Sequence, residues 1–178
     1  MKIRIKYAKT GVLRYIGHLD VMRYFQKAIR RAGLDVAYSQ GYSPHQLITF
    51  AAPLGLGVTS EGEYFDAEMN SLTSSEDMVA RLNATMAPGM EVKDIVQLKE
   101  GAKTAMAVVA ASDYLITCRE GYGDIHDFTD ALNAFYSQER IEVVKVSKTR
   151  EILMDIKPFI YKMEAGESGL YMLLSTGS

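Results

Sequence analysis

The segment KTGVLRYIGHLDVMRYFQKAIRRAGLDVAYSQGYSPHQLITFAAPLG, residues 9–55, holds a basic helix, two of the chain's three histidines and a turn rich in glycine, serine and proline. Gly17-His18 opens the helix, which runs to about residue 32 and stops at Gly33. Leu19, Met22, Phe25, Gln26 and Ile29 fall near one face, and Arg23, Lys27, Arg30 and Arg31 share the other. Asp20 sits in the first turn, where the helix dipole favours an acid. Residues 34–39 predict a short strand. Residues 40–44 predict a loop, because Ser43 precedes a proline and Gly41 permits positive φ.

Working outward, residues 2–8 alternate basic and apolar, which sets Ile3, Ile5 and Tyr7 on one face of a strand and Lys2, Arg4 and Lys6 on the other. Thr10-Gly11 predicts a turn and 13–16 a short extended piece. Downstream, 47–52 reads as a strand that Pro53-Leu54-Gly55-Leu56-Gly57 breaks. Residues 63–69 read as another strand, and Thr73 or Ser74 caps a helix over 75–86 that Pro88-Gly89 ends. With a strand over 90–98, residues 1–98 spell β-α-β-β-α-β, the order of a ferredoxin-like unit.

The polar break at 99–103 is the expected boundary between a basic N-terminal domain, 1–98, and an acidic C-terminal domain, 104–178. The second domain predicts a long strand over 106–118, bulged at Ser112-Asp113. A helix follows over 124–137, with Ile125, Phe128, Leu132 and Phe135 or Tyr136 along one stripe. Strands at 141–148, 150–156, 159–164 and 170–174 then form a meander. The expected fold is α+β, with tandem ferredoxin-like units, the second modified by that antiparallel meander.

Charge is segregated along the chain. Residues 1–50 hold nine Lys and Arg against Asp20 and Asp35, a net of +7, whereas residues 51–178 sum to −9. The overall −2 conceals this polarity, and the basic half suits an anionic partner. The 178 residues, 48% apolar, can bury a core in one large or two small domains. No apolar run reaches the roughly 18 residues of a membrane span. The start, Met-Lys-Ile-Arg-Ile-Lys, lacks a signal-peptide core, and Cys118 alone builds neither a disulfide nor a Cys-based metal site. A cytoplasmic protein is expected. Ser-Thr-Gly-Ser at the end follows an apolar strand directly, as in a fragment of a longer chain.

Lys2, Arg4 and Lys6 beside the helix cations would make a patch suited to phosphates. Tyr7, Tyr15, Tyr24, Tyr38 and Tyr42 lie in the same segment and could stack on bases. The bland alternative is a solvated helix face over half-buried tyrosines. His18 and His45 could supply acid and base for RNA cleavage, or two ligands to a metal, but their spacing matches no metal motif. Backbone hydrogen bonding is the commoner use of histidines so placed. The glycines of 41–57 form neither a Walker loop nor a dinucleotide fingerprint. Glu61, Glu63, Asp66 and Glu68 form an acidic cluster, read as a solvated edge, a cation site or a partner for the basic patch.

Several elements together carry a family resemblance. They are Arg14, Gly17-His18-Leu19-Asp20, Arg23, Arg30-Arg31-Ala32-Gly33, Tyr38-Ser39-Gln40-Gly41-Tyr42-Ser43-Pro44-His45, Pro53-Leu54 and Ser60-Glu61-Gly62-Glu63-Tyr64. Over residues 1–70 the chain resembles the radical-SAM-linked family of bacterial proteins, a domain of unknown function found beside or fused to a radical-SAM protein. Gln46 stands where that family commonly has proline. The resemblance implies a radical-SAM protein as partner. It implies no iron–sulfur chemistry in this chain, because the three-cysteine cluster motif is missing.

The expectation is therefore a non-catalytic accessory module without cofactor or metal, which binds RNA beside a radical-SAM protein. Arg14, Arg23, Lys27, Arg30 and Arg31 would hold phosphates, Tyr38 and Tyr42 would stack on bases, and His18, Gln40 and His45 would supply polar contacts. Two alternatives stand beside it. One is a metal-independent RNA-cleaving enzyme using His18 or His45, and the other a docking domain for the radical-SAM partner alone.

Overall fold

The computed structural model describes residues 1–146 and 150–176. The expected strand end at Lys148 and the terminal Gly177-Ser178 lie outside the described residues. The chain is mixed α+β, built on antiparallel sheets, and divides into two compact units, residues 1–108 and 109–178.

The first unit opens with β1, Lys2–Lys9, followed by a 3-10 turn over Gly11–Tyr15 where an extended piece was expected. Helix α1 spans His18–Arg31, and Gly33, at φ 63°, turns the chain away from it. Residues 34–39 form isolated bridges, Val36 to Met69 and Tyr38 to Gln46, rather than a strand. Then come β2, Ile48–Phe50, β3, Ser60–Glu68, α2, Ser75–Asn83, and β4, Met90–Gln97. Ser74 caps α2 by accepting from the Asp77 N–H. The four strands lie in the order β2-β3-β1-β4, each neighbour antiparallel.

One face of this sheet carries the core. Ile3, Ile5 and Tyr7 of β1 meet Val21, Phe25 and Ile29 of α1, Met78 and Leu82 of α2, and Phe50 and Phe65 from the neighbouring strands. The Tyr7, Phe25, Phe50 and Phe65 rings pack at centroid separations of 4.7–6.1 Å, within the range of favourable aromatic pairs. The buried stripe of α1 is Val21, Phe25, Ala28 and Ile29, rotated from the one expected. Leu19 is left 66% exposed, because Val21 and Ala28 supply the phase that fits β1.

Residues 105–108 form a short helix, α3, Ala105–Val108, where a strand was expected, and they belong to the first unit. The second unit holds β5, Ala111–Ile116, and α4, Thr129–Ser137, which a 3-10 turn capped by Asp124 precedes. Among the described residues, strands β6, Glu142–Val146, and β7, Glu151–Asp155, pair with each other alone. Strands β8, Ile160–Gly166, and β9, Gly169–Ser175, join β5 in the order β5-β9-β8. The expected four-strand meander is thus two hairpins in separate sheets.

Candidate functional site

With Val21, Phe25, Ala28 and Ile29 facing the sheet, Arg23, Lys27 and Arg30 emerge at i, i+4 and i+7 as an exposed stripe of α1. Arg23 lies 3.6 Å from Asp20, and both side chains are mostly in water, where such a pair contributes little. Among the described residues Lys27 and Arg30 have no acidic partner. Arg31 donates to the Thr85 carbonyl at 3.0 Å, which ties the end of α1 to the residues after α2. Arg14 lies over the Tyr15 ring at 4.8 Å and donates to its hydroxyl, before the first turn of α1.

The β1 cations do not extend this stripe. Alternation along the strand puts Lys2, Arg4 and Lys6 on the sheet face opposite α1, so the continuous helix-and-strand patch expected from the sequence does not form. They meet β3 across the register instead. Lys2 pairs with Glu68 at 3.1 Å, Arg4 grips Asp66 through Nε at 2.8 Å and Nη2 at 3.0 Å, and Lys6 lies 6.0 Å from the Tyr64 ring. Asp66 holds the Arg4 guanidinium above its ordinary pKa, chiefly by hydrogen bonding. Asp66 also accepts the Ala105 N–H at 2.7 Å, and Arg4 donates to the Lys103 carbonyl at 2.9 Å. Two members of the acidic cluster are therefore partners of β1. Lys9, 1% exposed, donates to the Ile16 carbonyl, and burial lowers its pKa.

The turn at 38–46 is a closed loop. Ser39 donates its N–H to the His45 carbonyl at 2.8 Å and takes the His45 N–H on its hydroxyl at 3.1 Å. That hydroxyl also hydrogen-bonds His45 Nδ1 at 2.8 Å. The loop is bracketed to α1 by Gln46, whose buried amide donates to the Gln26 carbonyl at 3.1 Å and to the Tyr38 hydroxyl at 3.3 Å. Gln26 lies between Arg23 and Lys27, so Tyr38, Gln40, Tyr42 and His45 sit on a loop rooted beside the cation stripe. Tyr38 is half exposed. Tyr42 stands wholly in solvent, at 110% relative exposure, after Gly41 at φ 112°.

Two tyrosines of the segment are spent elsewhere. Tyr7 is in the core, where burial drives its pKa upward, and the Tyr24 hydroxyl accepts the Ala87 N–H. His18 packs edge-on against Phe50, 5.4 Å between centroids, at the first residue of α1. The loop of His45 joins α1 eight residues later, about 12 Å along a helix rising 1.5 Å per residue. His18 and His45 thus have different neighbours and are not brought together. Among the described residues no group of three His, Cys, Asp or Glu side chains could hold a metal ion. A shallow groove of about 190 Å³ lies beside His45, lined by Thr49, Thr104 and the paired Lys2, Asp66 and Glu68.

Sequence reading missed two residues that organise the site, Ser39 as a latch and Gln46 as a bracket, and gave pairing of Asp66 with the basic patch only as one of three readings. The adjacency of Arg4 and Asp66 needs the β1–β3 register, and a glutamine ahead of Leu-Ile reads as the polar start of a strand. Among the described residues no helix is long and apolar enough to cross a membrane. No curated protein matches the chain. Residues 2–178 match the family described as an uncharacterized protein conserved in bacteria (DUF2344), and the chain belongs to that family.

Proposed function

We propose that this chain is a non-catalytic accessory module that binds RNA through the α1 side of its first unit and works with a radical-SAM protein in the cytoplasm. The β-α-β-β-α-β connectivity and strand order support reading the first unit as ferredoxin-like. One observation carries the RNA reading. The cations of β1 meet β3 residues across the sheet, whereas Lys27 and Arg30 of α1 are exposed and, among the described residues, without an acidic partner, on the helix to which a tyrosine-bearing loop is tied. Unpaired cations beside an exposed aromatic suit a polyanion with planar bases. The partnership rests on the family resemblance over residues 1–70.

The test is a variant with Arg23, Lys27 and Arg30 all changed to Ala, compared with wild type for retention of total cellular RNA on a filter. These side chains are exposed, so the thermal midpoint should hold while RNA affinity falls at least tenfold at low salt. Equal retention by both proteins would remove this reading. A radical-SAM protein that still co-purifies with the variant after nuclease treatment would then favour the docking alternative.

A further inference from the structure

Tyr42 has a conformation that packing does not explain. A tyrosine gains stability by burying its ring, yet this ring has no neighbour to bury against. The loop that carries it is closed at its base. Ser39 and His45 close the loop with three hydrogen bonds, the Leu47 N–H to Ala37 carbonyl bond at 2.9 Å continues the closure, and Gln46 fixes the base of the loop to α1. Either tautomer of His45 preserves the latch, since the Ser39 hydroxyl can accept from Nδ1 or donate to it. A ring whose two faces are open to solvent is accessible to a flat ligand.

Resting on the RNA reading above, we infer that Tyr42 is a stacking platform for one unpaired base, so that the ligand of this site is single-stranded rather than duplex RNA. In a duplex each base face is covered by the next pair, and the A-form grooves present edges, hydroxyls and phosphates instead of faces. The Arg23, Lys27 and Arg30 stripe serves phosphates of either form, so it cannot discriminate between them. Tyr42 can, because only a splayed base has a face to give. Ser39 is a positioning residue in this account, acting through the loop without touching the ligand.

The experiment measures binding of the 178-residue chain to a short mixed-sequence RNA, alone and annealed to its complement, at one low salt concentration. Wild type should prefer the single strand about tenfold, within the range of one base stacked on an aromatic ring. Tyr42→Ala should lose that preference, and Tyr42→Phe, which keeps the ring, should restore it. Ser39→Ala should weaken single-strand binding less than Tyr42→Ala does. Equal binding of both RNA forms by wild type, or an undiminished preference in Tyr42→Ala, overturns the inference while leaving the RNA reading intact. Retention of neither form overturns both.

Discussion

At the residue scale, Gln46 joins the two halves of the candidate site. Its amide, 6% exposed, is the only described donor to the Gln26 carbonyl beyond the helix's own hydrogen bonds, and it holds the Tyr38 hydroxyl as well. Among the described residues its Oε1 has no hydrogen-bond partner, so the side chain is half satisfied, through its nitrogen alone. Gln46→Ala should cost about 1–3 kcal/mol in urea unfolding, the range for unmaking buried hydrogen bonds. It should also weaken RNA retention, because the Tyr42 loop loses its tie to α1. An unchanged unfolding midpoint would remove the bracket role. Of the ten candidate residues named from sequence, Arg23, Lys27 and Arg30 share one face of α1, and Tyr38, Gln40, Tyr42 and His45 lie on the loop that Gln46 ties to that helix, with His45 beside the groove lined by Lys2, Asp66 and Glu68. Arg14 and His18 stand at the other end of α1, and Arg31 is tied to the Thr85 carbonyl. The residue types were legible in sequence, but the helical phase and the loop closure, which decide their neighbours, depend on tertiary contacts.

At the element scale, β1 and β3 form a cross-strand charge ladder that turns expected ligand cations into structure. Arg4 and Asp66 are both largely buried, and Asp66 also anchors the start of α3 through the Ala105 N–H. Removing one partner strands the other. Asp66→Ala should therefore destabilise the first unit by about 3–5 kcal/mol, and Arg4→Met with Asp66→Leu should cost less than Asp66→Ala alone, as read from chemical denaturation. A double variant no more stable than Asp66→Ala would contradict this account of the pair. The amphipathic alternation of β1 and the caps of α1 and α2 were readable because they are local signals. Residues 105–108 were not, since the apolar run AMAVVA fits helix and strand alike, and the hydrogen bond from the Ala105 N–H to Asp66 is a non-local contact. The two-hairpin layout of the second unit was equally hidden, because strand order is a non-local property.

At the scale of the whole molecule, the core and the candidate site both belong to residues 1–108. The second unit keeps many apolar side chains in solvent, among them Leu115, Val144, Val146 and Leu153, and none of its described residues belongs to the main core cluster. A fragment spanning residues 1–108 should accordingly fold on its own. The most direct measurement of the central claim is RNA binding by that fragment and by the full chain, titrated with salt. Three phosphate contacts from Arg23, Lys27 and Arg30 should give both proteins a log–log slope near −2, at roughly −0.7 per contact for a single strand. A fragment that folds but fails to bind RNA at low salt, or binding that does not change with salt, would contradict the account.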